Sequence, residues 1–271
     1  MSRDTVEVRR GARWFWCLAL LVVAGGVLVW FAPVIIARTS LKQQLVDRVL
    51  APADARAQIG SASLAWTSPV IVEDLIVLDA DGSVIAQVPR LRSEKTLLEL
   101  ARQLRETRPS LGVFHVEQPQ VNVVLREGSS NVETALQPFA KPDVPAESTA
   151  TVVPDFELLV ENGTVFAEDE NTGGRWTIDH LNVRIAPGEP AQLVEAAGRL
   201  SSGTSSGTFE IRAELPAGDA QPDGQLVCHT SQLPLDFVGV LARRVLDQLS
   251  VTGNLTSDVS LTWRQDESLA I

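Results

Sequence analysis

Apolar and polar residues follow two different rules along this chain, and the change comes early. Between Arg13 and Arg38 stand twenty-four residues without a charge, WFWCLALLVVAGGVLVWFAPVIIA. As a helix that run is about 36 Å long, enough to cross a hydrocarbon core of roughly 30 Å with some tilt. Trp14, Phe15 and Trp16 at one end and Trp30 and Phe31 at the other suit the two headgroup levels. The pattern predicts an uncleaved transmembrane anchor over 14–37, with Trp14, Trp16, Trp30 and Phe31 as its interfacial residues. A cleaved signal has an apolar core of only about 7 to 15 residues, and no small residue stands two positions before Ala37. The thirteen-residue head is short and carries four Arg, so it is expected to stay in the cytoplasm while the bulk of the chain crosses into the periplasm.

After the anchor the period is mostly two. Phe209, Ile211, Ala213 and Leu215 alternate with Glu210, Arg212 and Glu214, and Leu255, Val259, Leu261 and Trp263 alternate with polar residues. Both segments read as half-buried strands with one wet face. Leu75 to Ala86 is a hairpin with Asp81-Gly82 at its turn. Phe114, Val116, Val121, Val123 and Leu125 form strand segments broken at Pro119, and Trp176 to Ile185 alternates with one phase slip, the mark of a bulge. Helical spacing is confined to a continuation of the anchor through Leu50, a short amphipathic stretch over 93–104, and a third near 235–249. Prolines and small polar residues make 141–154 a linker. The expected units are a cytoplasmic head (1–13), the anchor (14–37), a strand-rich unit (38–140), the linker (141–154) and a second strand-rich unit (155–271).

Charge then narrows the partners. The chain carries −11; its first thirteen residues hold four Arg against Asp4 and Glu7, so the rest stands near −13. Such a surface repels nucleic acid. Cys17 lies in the apolar run and Cys228 stands alone, which excludes an intrachain disulfide and a cysteine metal site.

No catalytic set emerges. Gly203-Thr-Ser-Ser-Gly207 has the spacing of a nucleophile elbow, but a strand follows it where that chemistry needs a helix. A flexible turn between strands is the better reading. Asp79-Ala-Asp-Gly82 lacks the later ligands of a calcium loop and reads as a turn. Glu168-Asp-Glu170 reads as a solvated hairpin tip, and His115, His180 and His229 lie far apart, each inside a strand pattern. Neither cofactor nor metal is expected, and the chain is not expected to be an enzyme.

The order of strand motifs carries a resemblance. Ile59-Gly-Ser-Ala-Ser-Leu-Ala-Trp66, Pro69 to Gly82, Val88-Pro-Arg-Leu91, then Leu111 to Val124 and a polar Gly-Ser-Ser-Asn-Val turn follow the apolar run. Further on come Phe156 to Asp169, with an Asn-Gly turn and an acidic tip, Leu233 to Leu241, and a glycine-led strand from Val251 to Trp263. This succession resembles the N-terminal region of the AsmA-like family, bacterial inner-membrane-anchored relatives of TamB. The resemblance implies a long, twisted, taco-like β-sheet with an apolar concave face, similar to the bridge-like lipid carriers of eukaryotes, and passive lipid handling or outer-membrane maintenance.

The expected fold is therefore α+β and β-rich: one N-terminal transmembrane helix, then a twisted antiparallel sheet shaped as a groove, with a few short amphipathic helices. Candidate groove-lining residues are Val121, Val123, Leu125, Phe209, Ile211, Val259, Leu261 and Trp263. The expected partners are membrane lipids as cargo, and an envelope protein or a second copy joined through an open sheet edge. A membrane-anchored scaffold or adaptor acting through that edge is the competing reading. Roughly fourteen strands at about 4.8 Å spacing make a rod of about 65 Å, short for a complete bridge across an envelope.

Overall fold

A computed structural model of the chain describes residues 32–33, 37, 39, 55–106, 109–126, 128–140, 155–188, 191–216, 223–242, 251–264 and 267–270. Thirteen strands form one sheet. They are β1 (Arg56–Ser63), β2 (Pro69–Leu78), β3 (Val84–Thr96), β4 (Ser110–Glu117), β5 (Gln120–Arg126), β6 (Ser129–Ser130), β7 (Asp155–Asp169), β8 (Arg175–Ala186), β9 (Ala191–Ser202), β10 (Ser205–Pro216), β11 (Gly224–Pro234), β12 (Asn254–Arg264) and β13 (Glu267–Ala270). Three helices interrupt them: α1 (Leu97–Gln103), α2 (Asn131–Ala140) and α3 (Leu235–Ala242). Neighbours in sequence are neighbours in the sheet almost throughout, because tight turns return each strand beside the last. Asp79 accepts from Gly82, whose φ of +83° closes the first hairpin, and Gly203 at +56° turns β9 into β10. That two-residue turn, with a strand on both sides, is what became of the elbow-like Gly203–Gly207 segment.

The fold expected from the sequence needs correcting in two respects. The sheet is mixed rather than antiparallel: β7 runs parallel to both β4 and β5. A parallel neighbour requires the chain to travel back along the strand before pairing, and β6 and α2 are the described elements between β5 and β7. Alternation has the same period in either sense of pairing, so the pattern alone could not distinguish them. Secondly, no helix among the described residues is long and apolar enough to cross a membrane, so the transmembrane helix expected at the head of the fold is not supported. Of the run 14–37 only Ala32, Pro33 and Ala37 are described, each helical. Trp14, Trp16, Trp30, Phe31, the helical continuation through Leu50, the linker 141–154 and the end of the helix expected near 235–249 lie outside the described residues.

Local chemistry sets the helix boundaries. The stretch expected as a helix over 93–104 is strand as far as Thr96, where buried Ser93 bonds the backbone of Lys95. Thr96 then begins α1 through a reciprocal cap: its hydroxyl accepts from the Glu99 N–H at 3.3 Å, while the Glu99 carboxylate accepts from the Thr96 N–H at 2.8 Å. These bonds, the backbone one foremost, hold the Glu99 carboxyl below the usual carboxylate range. Helix α2 was not foreseen. It is fixed by Asn131, whose side-chain oxygen accepts from the Val124 N–H at 2.8 Å while its amide donates to the Asn122 carbonyl at 2.8 Å.

One irregularity interrupts the pairing of neighbouring strands at six positions. Gly60 on β1 faces Asp74 on β2, which falls opposite Pro89 on β3; next come Gln118 between β4 and β5, Asn162 on β7 and His180 on β8. Asp74, Gln118, Asn162 and His180 have φ between +50° and +54°, a region that residues other than glycine rarely enter. At this crease each strand changes phase. On β7 the apolar face is carried by Leu158 and Val160 before it and by Val165 and Ala167 after it. The Asn162-Gly163 pair, expected as a turn, is thus a kink inside one fifteen-residue strand. The phase slip expected between Trp176 and Ile185 is the bulge between Asp179 and Asn182. Bulges bend and twist a strand. Side chains satisfy the backbone groups they free: Asn182 accepts from the Asn162 N–H at 3.1 Å and donates to the His180 carbonyl at 3.0 Å.

Replacing Asn182 by Leu removes both bonds and leaves the Asn162 N–H without its acceptor, at an expected cost of about 1–3 kcal/mol. Urea unfolding of wild type and variant measures the difference; equal midpoints would show that the clasp contributes nothing.

Candidate functional site

Residues directly opposite one another in a sheet share a face, so the register determines what each face offers. One line of contacts runs through ten strands, from Ala62 to Val72, Leu91, Val116, Val160, Val183, Ala196, Ile211, Cys228 and Val259. No member carries a charge. At about 4.8 Å per strand it spans about 43 Å. A second line lies two residues further along, through Phe114, Leu158, Ile185, Val194, Ala213, Leu226 and Leu261. The opposite face is charged. There Arg184 meets Glu157 at 2.7 Å and Glu195 at 3.8 Å, Arg212 meets Glu195 at 3.2 Å, and the His115 ring lies between Glu94 at 3.2 Å and Glu161 at 3.5 Å.

Ordinarily such an apolar face is covered by a second layer. Among the described residues every strand belongs to the same sheet, so no second sheet covers this one. In the ten-residue line none is fully buried, and Val259 is 39% exposed. Among the described residues, the closed core lies on the other side of the crease. There Trp176 donates to Asp236 at 3.3 Å and meets the Phe237 ring edge-on at 5.7 Å, and Leu125, Ala167, Trp176 and Leu200 are buried with Val240 of α3. Among the described residues, the crease therefore separates a panel covered by α3 from one without such a cover.

The eight groove candidates fall into three groups. Ile211 and Val259 belong to the ten-residue line and Leu261 to the second. Leu125 is 6% exposed and Val123 packs against it, so both are core side chains; Val121 sits beside Val165 on the same covered panel. Phe209 and Trp263 fill space over glycines: a Cβ on Gly198 would meet the Phe209 ring at 3.1 Å, and one on Gly224 would run into the Trp263 ring. Sequence reasoning missed Val160, Val183, Ala196 and Cys228, the middle of the line. Their alternation was visible in part, but their alignment depends on the bulges.

No catalytic arrangement is present among the described residues. His115, His180 and His229 stand on β4, β8 and β11, and no group of three His, Cys, Asp or Glu residues could hold a metal ion. The Asp169 carboxylate accepts from the Asn171 N–H and the Thr172 hydroxyl, as a hairpin tip requires. A depression of about 430 Å³ is lined by Glu161, Arg184, Glu195, Glu210 and Arg212 together with Asn182 and apolar neighbours such as Leu159 and Ala197. Most of its charges are engaged in the ion pairs described above. Cys228 is the one titratable group in the ten-residue line, and burial raises its thiol pKa above the ordinary value.

No protein-family model matches the chain, and no curated protein matches it.

Covered and uncovered panels should respond differently to truncation. Leu200→Ala, at a side chain 1% exposed, should cost about 2–5 kcal/mol, whereas Val259→Ala should stay within about 1 kcal/mol in urea unfolding. Similar losses at both positions would mean that the line is core. Alkylation of Cys228 by iodoacetamide, followed by mass spectrometry, should rise with pH later than that of a free cysteine, because burial disfavours the thiolate.

Proposed function

We propose that the chain handles lipids passively in the bacterial envelope, sheltering acyl chains on its uncovered apolar panel while headgroups remain in water. The observation that carries this reading is the uncharged ten-residue line, held in register on a face with no second sheet over it among the described residues. Apolar surface of that extent, backed by a charged face, has the character of a binding surface. Acyl chains need no nucleophile, base or metal from the protein. The strand motifs that resemble the AsmA-like family point the same way. On this reading the chain works at the bacterial inner membrane with its N-terminus cytoplasmic and its bulk periplasmic, as the AsmA-like resemblance implies.

A second reading, an adaptor that pairs with a strand of another envelope protein or of a second copy, draws on β12. That strand meets β13 only at Thr262 and Arg264, so its outer edge from Asn254 to Leu261 carries no strand among the described residues.

Lipid retained by the full-length protein and by its Val259→Asp and Leu261→Asp variants, quantified by mass spectrometry after identical purification, separates the two. Lipid handling predicts about a tenfold lower lipid-to-protein ratio in the variants at an unchanged thermal midpoint, as a carboxylate excludes an acyl chain. An unchanged ratio in folded variants counts against it and in favour of the adaptor.

A further inference from the structure

The leucines of α1 contribute little burial to the fold. Leu97, Leu98 and Leu100 stand on the helix and Leu104 caps it, yet no residue of the helix is buried, and Leu98 and Leu104 are exposed. Polar bonds hold α1 in place instead. Besides the reciprocal cap at Thr96, the Leu98 N–H donates to the Trp66 carbonyl at 3.2 Å, and the Gln103 side-chain oxygen accepts from the Ser110 N–H at 3.2 Å. The helix lies at one end of the sheet, where β3 finishes and β4 and β7 begin. Register carries that end onward, from Gly112 to Phe156, from Leu158 to Ile185, from Gln192 to Leu215 and from Gly224 to Trp263. Among the described residues, four of the six exposed large apolar side chains, Leu98, Leu104, Phe156 and Leu215, share it. Phe156 stands two residues before Leu158 and Leu215 two after Ala213, so both extend the uncovered apolar panel to this end. The Phe114 and Phe156 rings meet edge-on there, at 6.2 Å.

We propose that the α1 end of the sheet docks on a lipid bilayer, with Leu98 and Leu104 entering its headgroup layer. The proposal extends the lipid-handling reading, on which its second part rests: tails pass between bilayer and panel at this end. A tail leaving the panel through water would lose its cover methylene by methylene, so the mouth of an acyl-bearing face has to meet the bilayer. Charge permits the approach. The chain as a whole carries −11, but across 94–106 Lys95, Arg102 and Arg105 balance Glu94, Glu99 and Glu106, which spares this end the repulsion of an anionic surface. Arg102 and Arg105 can also lay their stems on apolar surface while their heads stay at the phosphates. A bilayer suits the rim better than a protein does. Phe156 on β7 and Leu215 on β10 are three strands apart, about 14 Å, and a bilayer admits such scattered side chains singly, where a protein would need a pocket for each.

Depth of insertion tests the docking. Full-length protein carrying Cys17→Ser and Cys228→Ala receives one new thiol, by Leu98→Cys, by Leu104→Cys or, as a control in the exposed β2–β3 turn at the far end, by Ser83→Cys. Each thiol is labelled with the fluorophore NBD. The protein is reconstituted with vesicles of phosphatidylethanolamine and phosphatidylglycerol that bear a nitroxide high on one tail. Emission from 98 and 104 should shift to the blue and be mostly lost to the nitroxide, while emission from 83 persists. The two sites report independently, so one that folds suffices. Quenching at neither site, in protein that still retains lipid, overturns the docking and leaves lipid handling intact. Equal quenching at 83 overturns it too, since no end is then preferred. A doubled mass in light scattering that Leu98→Gln with Leu104→Gln abolishes, without quenching, assigns the leucines to a contact between copies and overturns it as well. Quenching at 98 and 104 in protein that retains no lipid upholds the docking and overturns the passage of tails.

Discussion

Cross-strand register is the constraint on which the rest of this molecule depends. A strand fixes only that alternate residues share a face; which residues of ten strands stand side by side is decided by turns and bulges. Here those devices agree. Gly82 and Gly203 close their hairpins at positive φ, and the bulge between Asp179 and Asn182 restores the phase that β8 would otherwise lose. A slip of one residue at any of them would turn Val160 or Val183 toward the side of Glu157 and Arg184 and break the uncharged line.

The parallel seam and the crease are coupled through the same residues. From Gly112 onward β4 and β5 lie along β7 in one register, forty-four residues apart, although Gln118 and Pro119 interrupt them. The interruption is tolerated because β7 is kinked at the matching place, Asn162-Gly163. The Gln118 N–H donates to the Glu161 carbonyl at 2.8 Å, so the backbone remains paired through the kink. Two strands bent together keep their bonds, whereas one bent beside a straight neighbour would lose them. This also explains how non-glycine residues are held in a costly conformation.

Much of this was legible from the residues, and the omissions have physical causes. Alternation located the strands on either side of Pro119 and those around Phe209 and Val259, and the slip near His180 announced its bulge. Direction of pairing was not legible, since β7 shows the same period beside parallel β4 as beside antiparallel β8. Nor was the boundary of α1: leucine spacing suggested a helix from Ser93, but the cap at Thr96 and the burial of Ser93 in the sheet prevailed. Of the groove candidates, Leu125 resembles Leu261 in sequence context and differs only in what covers it. α3 folds over one panel, and nothing local to Leu125 reports that.

Among the described residues, a single-layer sheet with one apolar panel lacking cover is left with unrealised burial. Each half-exposed Val, Ile or Leu of the ten-residue line retains on the order of 1 kcal/mol that full cover would release. A ligand that supplies the cover gains this without directional bonds, and the line offers none: Cys228 is its most polar member, and burial keeps it a thiol. Discrimination among lipids on this face would therefore arise from shape. On the lipid-handling reading, methylene chains of equal girth would be taken alike whatever their headgroup. The crease matters to this face because, without the phase change there, Val165 and Ala167 would turn to the side opposite Leu158 and Val160.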